Sequence, residues 1–259
     1  MQTPSVSRRN FLKQSLVIAG PMVAATASPL AAAAPGAAAA GPLKVCCIGA
    51  HPDDPESGCA GTLARYAQLG HSVTVVYLTR GERGIRGKSY DEAASIRSQE
   101  CLRACEVIGA KPVFFGQING ATEVNQTQVD AMSRLLAGQA PDVVFAHWPI
   151  DTHLDHQVAS VLAIRACMAL PQAPRLFFFE VNTGSQSRGF LPNTYVDVSP
   201  VLEKKKAALL AHVSQDGLGV WRQHHEPIGL WRGREAGVSM AEAFVHLAHD
   251  EPLSNLPGI

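Results

Sequence analysis

Short apolar runs alternate with longer segments of helical spacing through most of the chain. The short runs are rich in β-branched residues and predict buried strands at 44–50, 72–79, 112–115, 142–148, 175–181 and 194–198. The longer segments predict helices at 57–69, 91–108, 126–136, 154–170 and 200–213. Strands that alternate with helices are typical of a parallel sheet covered by helices on both faces.

This pattern predicts one Rossmann-like α/β domain from about residue 42 to residue 259, with a mostly parallel sheet. Residues 214–259 show little periodicity, and we expect loops there with one short helix near 241–248. Six cysteines lie in predicted elements without a zinc-binding C-x-x-C pattern, so we expect buried free thiols. Cys46 and Cys47 are neighbours in a strand and should point to opposite faces.

The first 40 residues differ in composition from the rest of the chain. Arg8 and Arg9 precede a modestly apolar stretch at 15–27, and Ala- and Pro-rich sequence follows. This order resembles a twin-arginine export signal. A retained membrane anchor is the alternative, but Pro21 interrupts a stretch already shorter than the roughly 20 apolar residues of a membrane span. We therefore expect residues 1–40 to be a signal peptide and the bacterial protein to be periplasmic or extracellular, without membrane contact after cleavage.

Charge and motif searches exclude several function classes. Lys and Arg total 22, as do Asp and Glu, and three of the cations lie in the first 40 residues. The remaining chain is therefore mildly acidic, and we expect no nucleic-acid partner. The chain contains no G-x-G-x-x-G after the first strand and no P-loop, H-E-x-x-H or G-x-S-x-G motif, so dinucleotide binding and serine-nucleophile chemistry are unsupported.

The two densest clusters of His and Asp follow predicted strands, where open α/β sheets bind ligands. His51, Asp53 and Asp54 come directly after the first strand. An imidazole and two carboxylates this close would be unfavourable if buried without a cation, and a divalent metal removes that cost. Capping of the next helix is the alternative, but it explains one carboxylate and not two beside a histidine.

The second cluster stands where the fourth strand leads into a helix. His153 and His156 are spaced i, i+3 and share one face of the first helical turn. Incidental surface histidines are the alternative. Two histidines and one carboxylate leave a fourth position open, as in catalytic zinc sites, where the metal lowers the pKa of water and polarises a carbonyl. These ligand types also suit iron, cobalt or nickel.

Both clusters resemble the motifs of the PIG-L/LmbE-like family of zinc-dependent N-deacetylases. H-P-D-D stands at 51–54 and H-x-D-H at 153–156. Weaker family-like segments, namely T-x-G-E, R-x-x-E and K-x-A-L with H-x-S-Q, stand at 79–82, 97–100 and 206–215. The similarity runs from about residue 44 to residue 216. One departure is that Pro55 precedes Glu56, whereas many members have an acid directly after H-P-D-D, which loosens any role for Glu56.

The resemblance implies a role for each matching residue. Three residues would hold Zn²⁺: His51, Asp54 and His156. Asp53 would be the general base towards the attacking water, and His153, held by Asp155, would stabilise the oxyanion or protonate the leaving amine. The chemistry favours the same division, because a carboxylate on the metal is not free to move protons while its neighbour is.

Three further residues are candidates for substrate contact. Arg97 would hold the substrate, with a helical pair to Glu100 as the alternative. His212 would line the pocket, with an interior or surface histidine as the alternative. Trp148 would stack on a sugar face, with core packing as the alternative. Four residues receive no chemical role beyond loop, strand-end or supporting positions: Glu82, His147, His224 and His225.

These inferences converge on an exported zinc hydrolase that removes acetyl from an N-acetylated amino sugar of the N-acetylglucosamine type. An amidase acting on a larger N-acyl amine would use the same chemistry and is one alternative. A non-catalytic, metal-stabilised carbohydrate-binding protein is the other, and the presence of Asp53 argues against it. The expected partner is a small-molecule or glycan substrate, and the sequence leaves the oligomeric state open.

Overall fold

The computed structural model describes residues 41–247 and 257–258, so the predicted export signal lies outside the described residues. The strands have these bounds: β1 Lys44–Gly49, β2 Ser72–Thr79, β3 Lys111–Gln117, β4 Val143–His147, β5 Arg175–Phe179, β6 Thr194–Asp197 and β7 Ala241–His246. The α-helices have these bounds: α1 Asp54–Gln68, α2 Tyr90–Ile108, α3 Gln126–Gln139, α4 Leu154–Ala169, α5 Leu202–Leu210, α6 Gly217–Val220 and α7 Glu226–Ala236. A π-helical turn, Trp221–His225, joins α6 to α7. Among the described helices, none has the length and apolar character needed to cross a membrane.

The strands form one mixed sheet in the order β3-β2-β1-β4-β5-β7-β6. Neighbouring strands from β3 to β5 are parallel, whereas β7 runs antiparallel to both β5 and β6. The chain steps outward from β1 to β3 and then returns to the other side of β1 with β4. The strand order therefore reverses between β1 and β4, where open α/β sheets bind ligands. The predicted single α/β domain with a mostly parallel sheet is confirmed.

Alternate residues of the central strands feed two hydrophobic layers, one on each face of the sheet. Cys47 and Phe145 belong to the layer covered by α1, α2 and α5, whereas Cys46 and Val144 belong to the layer covered by α3 and α4. Burial on both faces explains why these strands appear in the sequence as continuous apolar runs. It confirms that Cys46 and Cys47 point to opposite faces, and all six cysteines are free and buried.

The segment after residue 214 differs from the sequence prediction. It contains α6, the π-helical turn and α7 instead of loops. Part of the range near 241–248 that was expected to be helical, Ala241–His246, forms β7, which lies inside the sheet between β5 and β6. Glu242 interrupts the apolar pattern of this strand although it is buried, which hides the strand in the sequence. Partners distant in sequence decide its conformation.

The partners of Glu242 compensate its charge and connect three elements. Lys205 Nζ of α5 lies 2.5 Å from Glu242 Oε1 and also donates to the Ser57 carbonyl of α1 at 2.9 Å. The backbone N–H groups of Gly61 and Thr62 donate to the same carboxylate at 2.9 and 2.7 Å. This buried ion pair therefore ties α1, whose first turn carries Asp54, to α5 and β7.

Lys205→Met is expected to lower the free energy of unfolding by about 3–5 kcal/mol, because it leaves the Glu242 charge buried without its cation. The double variant with Glu242→Gln should lose clearly less, since the carboxamide oxygen still accepts one of the two N–H groups of α1 and no buried charge is left without a partner. Urea unfolding followed by circular dichroism measures both. Equal losses in the free energy of unfolding of the single and double variants would contradict the explanation that the loss comes from a buried charge without its partner.

Candidate active site

The turn after β1 separates two neighbouring aspartates. α1 begins at Asp54, three residues earlier than predicted, because Pro55 fits the first turn of a helix, where no amide donor is needed. Asp54 Oδ2 accepts the backbone N–H of His51 at 2.7 Å and lies 3.1 Å from His51 Nδ1. Asp53 adopts a φ of 105°, a left-handed conformation in which Asp is tolerated better than most residues. Asp54 thus faces the histidines of the interior, while Asp53 contacts Arg97.

The loop after β4 positions two histidines through one carboxylate. Asp151 Oδ1 accepts the backbone N–H of His153 at 2.8 Å and lies 3.2 Å from His156 Nδ1. α4 begins at Leu154, so His156 falls in its first turn and is buried. Asp151 received no role from the sequence. Its position just before a histidine cluster is the signal that was available, because metal-binding histidines commonly donate their second ring N–H to a carboxylate.

His51, Asp54 and His156 meet at one point. Their ligand atoms all lie within 4.8 Å of one another, and Asp54 Oδ1 is 3.3 Å from His156 Nε2. The three residues are 7%, 5% and 1% exposed, respectively. Two imidazole nitrogens and one carboxylate oxygen are a donor set typical of zinc sites that keep one coordination position open. The residues present therefore fit a divalent cation.

The charges of this cluster support the same interpretation. Burial disfavours the ionised form of Asp54, but His156, His147 and His51 outweigh burial and hold the pKa of Asp54 well below its usual range. Burial also disfavours a charged His156, but Asp54 and then Asp151 raise the pKa of His156 to about 10. In the metal-free cluster, a proton on His156 supplies the positive charge that a bound cation would replace.

Zn²⁺ binding at this cluster is expected to release protons and to become tighter as the pH rises. A protonated imidazole cannot bind metal, and a His156 pKa of about 10 means that its proton must leave at neutral pH. Raising the pH removes the proton that competes with the metal, so the Kd for Zn²⁺ should fall by up to about tenfold per pH unit for each displaced proton. Calorimetric titrations in buffers of different ionisation enthalpy measure the released protons. A Kd that stays constant between about pH 6 and 8 would contradict this linkage.

Asp155 contacts two histidines, His51 through its carboxylate and His153 through its backbone. Its carboxylate lies 2.9 Å from His51 Nε2 and accepts three hydrogen bonds from the loop after β3. The expected contact between Asp155 and His153 is made by the backbone of Asp155 and not by its carboxylate. Only the backbone N–H of Asp155 contacts that histidine, donating to His153 Nδ1 at 3.2 Å. The donors of the loop after β3, which local sequence does not reveal, turn the carboxylate towards His51.

A second group of candidate ligands, formed by His51, His153 and Asp155, shares His51 with the first group. Asp155 Oδ2 already accepts the Gly120 N–H at 2.7 Å and the Asn119 Nδ2–H at 3.0 Å. These contacts occupy the lone pairs that a metal would need. The group formed by His51, Asp54 and His156 is therefore the better ligand set, with Asp155 orienting the His51 ring.

Arg97 and Glu56 hold the turn that carries Asp53. Arg97 Nη2 lies 3.2 Å from Asp53 Oδ1, and the same group donates to the Pro52 carbonyl. Glu56 accepts the backbone N–H of Asp53 at 3.2 Å, so it has a structural role despite the departure at Pro55. Burial raises the pKa of Asp53, and Arg97 acts in the opposite direction. Arg97 thus faces the site, as required of a substrate contact.

Two of the predicted substrate residues do not line the site. His212 is fully buried, with Nε2 3.4 Å from Glu56 Oε2, so the prediction that it lines the pocket is wrong. Trp148 packs edge-on against Phe178 and Phe190 beside the sheet, so the packing alternative holds and its ring is not part of the cavity wall.

His147, which received no role from the sequence, lies against the candidate ligand cluster formed by His51, Asp54 and His156. Its Nε2 is 3.2 Å from Asp54 Oδ2 and accepts the Ala50 N–H at 3.1 Å. The ring stacks on His156 with centroids 4.2 Å apart. Burial, followed by repulsion from His156, lowers the pKa of His147 to about 4, which makes it a neutral support for the cluster.

A cavity of about 300 Å³ lies over the cluster. Polar and charged side chains form most of its wall, and the apolar ones are Val181 and Val220. The wall includes the following residues that bear chemistry: His51, Asp53, Asp54, Arg83, Arg97, Asn119, His153, His156, Asn182, Gln186 and Gln215. This volume and polarity suit a small polar ligand such as a monosaccharide unit.

The chain is similar to proteins whose activities are known. Diacetylchitobiose deacetylase from Thermococcus kodakarensis is 30% identical over 77% of this chain and 81% of its own length. N,N'-diacetylchitobiose deacetylase from Pyrococcus horikoshii has a similar solved structure, with a TM-score of 0.70, 25% identity and coverage of 79% of this chain and 84% of that one. 4-Oxalmesaconate hydratase from Pseudomonas putida is 25% identical over 77% of this chain and 84% of its own length. Relatives with deacetylase activity thus share the fold, although one relative is a hydratase.

The family comparison covers both His and Asp clusters. The model for PIG-L, described as GlcNAc-PI de-N-acetylase, matches residues 46–167, a range that begins in β1 and ends in α4. Together with the relative that is 30% identical along most of its length, this match shows that the chain belongs to the PIG-L family of deacetylases.

Proposed function

We propose that this protein is a metal-dependent hydrolase that removes the acetyl group from an N-acetylated amino sugar. The observation that carries the proposal is the buried group formed by His51, Asp54 and His156, with the separate carboxylate of Asp53 beside it in a polar cavity. Relatives that act on N-acetyl sugars support the substrate class. Zinc is the metal we propose, because two imidazoles and one carboxylate are ligands that it favours.

A divalent cation held by His51, Asp54 and His156 would polarise the amide carbonyl and lower the pKa of water. Asp53 takes the proton from the attacking water, because it is the carboxylate at the site that the histidines do not surround. Burial raises the pKa of Asp53, which brings a general base closer to the working pH. Arg97, 3.2 Å from Asp53 Oδ1, keeps this carboxylate in place.

His153 donates a hydrogen bond to the oxygen on which negative charge develops. Its Nδ1 accepts the Asp155 backbone N–H at 3.2 Å, so the neutral ring carries its proton on Nε2. Burial, followed by repulsion from His51 and His156, lowers the pKa of His153, which favours this neutral donor over a charged imidazolium. A fixed donor at a developing oxyanion stabilises the transition state without further reorganisation.

We also propose that the protein is exported from the bacterial cytoplasm. Arg8 and Arg9 before an apolar stretch support export from the bacterial cytoplasm, and removal of about 40 residues would leave the described domain. Fractionation of cells that produce the full chain tests this, with Arg8→Lys/Arg9→Lys as the control variant. Export that is unaffected by the double substitution would contradict a twin-arginine signal.

The test of function is acetate release by the purified, Zn²⁺-loaded protein. N-acetylglucosamine and N,N'-diacetylchitobiose are the primary substrates, longer N-acyl glucosamines test the amidase alternative, and 4-oxalmesaconate tests the hydratase activity of the relative at 25% identity. Deacetylation of the first two supports the proposal. A folded, metal-loaded protein that releases no acetate from any N-acyl sugar overturns the proposal. Turnover of 4-oxalmesaconate alone would indicate a hydratase instead.

A further inference from the structure

One wall of the cavity comes from the loop between β5 and β6, which follows Phe179. The Val181 N–H donates to Ser187 Oγ at 2.9 Å, and Ser187 Oγ donates to Asp151 Oδ2 at 3.2 Å. Ser187 also pairs with Asp151 through a single antiparallel bridge. Because Asp151 contacts both His153 and His156, this wall is held in fixed register with the metal cluster.

A chain of hydrogen bonds runs through this loop into the cavity wall. His225 Nε2 lies 2.9 Å from Asn182 Oδ1, and Asn182 Nδ2 donates to Gln186 Oε1 at 2.8 Å. Asn182 adopts a φ of 43°, a conformation that Asn tolerates better than most residues. Both Asn182 and Gln186 line the cavity, whereas His225 is buried behind them. These hydrogen bonds therefore connect an interior histidine to the wall of the cavity.

The direction of these hydrogen bonds follows from the orientation of the Asn182 carboxamide, whose oxygen faces His225 and whose nitrogen faces Gln186. Burial, followed by unfavourable interactions with Lys205 and then His224, lowers the pKa of His225 well below its usual range, so the ring is neutral. An amide oxygen only accepts, so the proton of His225 lies on Nε2 and donates to Asn182 Oδ1. The Nδ2–H group of Asn182 then donates to Gln186 Oε1. His225 lies at the end of a π-helical turn, a rare element that is frequent at functional sites.

We propose that Gln186 is a specificity-determining residue whose Nε2–H group donates to an oxygen of the amino sugar, and that Asn182 and His225 are its positioning residues. Gln186 Oε1 accepts from Asn182, whereas Gln186 Nε2 donates no hydrogen bond to another described residue. A free carboxamide could rotate by 180° and present either end, but this one presents only its donor. The wall therefore selects hydroxyl, ether or carbonyl oxygens and rejects ammonium groups, which have no lone pair. This inference rests on the proposed deacetylase function.

Gln186→Leu keeps the size of the side chain and removes the donor. It is expected to raise KM for the N-acetyl amino sugar by about 3- to 10-fold with kcat within about twofold, because a contact equal in ground and transition states is lost. Asn182→Asp tolerates the positive φ but cannot donate to Gln186, so it should raise KM to a similar degree. His225→Phe should do the same, and His225→Gln, which restores a donor near the Nε2 position, should recover most of the loss. Gln223→Leu, on an exposed position of the same π-helical turn, is the matched control.

Kinetics of the Zn²⁺-loaded protein on N,N'-diacetylchitobiose, with metal content and Tm measured in parallel, decide the outcome. In the Gln186→Leu background, His225→Phe should add less than about twofold to KM, because its effect passes through Gln186. An active wild type whose KM is unchanged by Gln186→Leu overturns this inference alone. A full additional loss from His225→Phe in that background overturns the positioning role. A wild type without activity on any N-acyl sugar overturns the proposed function and this inference with it.

Discussion

Asp53→Asn should reduce kcat by a factor of about 10²–10⁴ while the protein still binds one Zn²⁺. Asp53 is the carboxylate of the turn after β1 that pairs with Arg97, whereas Asp54 lies within 3.3 Å of three histidines of the site. Its removal takes away the general base and leaves the ligand set intact. Acetate release under saturating substrate and metal analysis of the same preparation measure the two quantities separately.

Asparagine is the appropriate replacement because the backbone at this position has a φ of 105°. Asn tolerates positive φ, whereas Ala would add backbone strain to the loss of the base. A carboxamide oxygen can also still accept from Arg97, so the turn is preserved. Asp53→Ala should therefore show the same loss of kcat with a lower Tm, and the comparison separates chemistry from folding.

The pH profile provides a second measurement of the same role. Burial raises the pKa of Asp53, so the wild-type rate should fall as the pH drops through that raised value, because the protonated carboxyl is no longer a base. The acid limb should therefore lie above the pH of an ordinary carboxyl, near 4, and should be absent in Asp53→Asn. A variant with wild-type kcat, or with an unchanged acid limb, would remove Asp53 from the mechanism.

The sequence predicts the position of the site because two local patterns coincide with a rule of topology. Apolar runs mark β1 and β4, and polar clusters follow both at the edge where parallel strands end. The structure places these two strands side by side, with Val45 opposite Val143, so residues about 100 positions apart in the chain become neighbours. Hence the two clusters could be brought together from sequence alone, whereas the choice of His156 over His153 as a ligand came from the resemblance to the PIG-L/LmbE-like family.

The supporting contacts could not be predicted because they depend on orientation within the folded protein. Asp155 is adjacent in sequence to His153 and His156, yet its carboxylate turns to His51, which is 104 positions away. His225 and Asn182 are separated by 43 positions and have no shared motif. Such pairs are chosen by which side chains the sheet and helices bring into reach, and a histidine alone in a sequence carries no sign of its partner.

Loss of the divalent cation should abolish activity, and the change His156→Ala should have the same effect. Without an imidazole at this position the ligand set retains His51 and Asp54, and Asp151 loses the ring that it orients. We expect a fall in kcat/KM of at least about 10³-fold, since polarisation of the carbonyl and activation of water are lost together. Dialysis against a chelator should inactivate the wild type, and added Zn²⁺ should restore it.

The control for that variant is His224→Ala, on a half-buried position of the π-helical turn outside the metal cluster, which should keep both metal and turnover. His156→Ala should keep the fold, because the removed side chain is replaced by space for water in a polar site and Asp54 still has His51 and His147 beside it. Metal analysis, Tm and acetate release on the same samples therefore distinguish loss of the cation from loss of structure. Metal-free protein that still deacetylates, or a His156→Ala variant with wild-type turnover, would show that the hydrolysis does not depend on a cation held at the junction of β1 and β4.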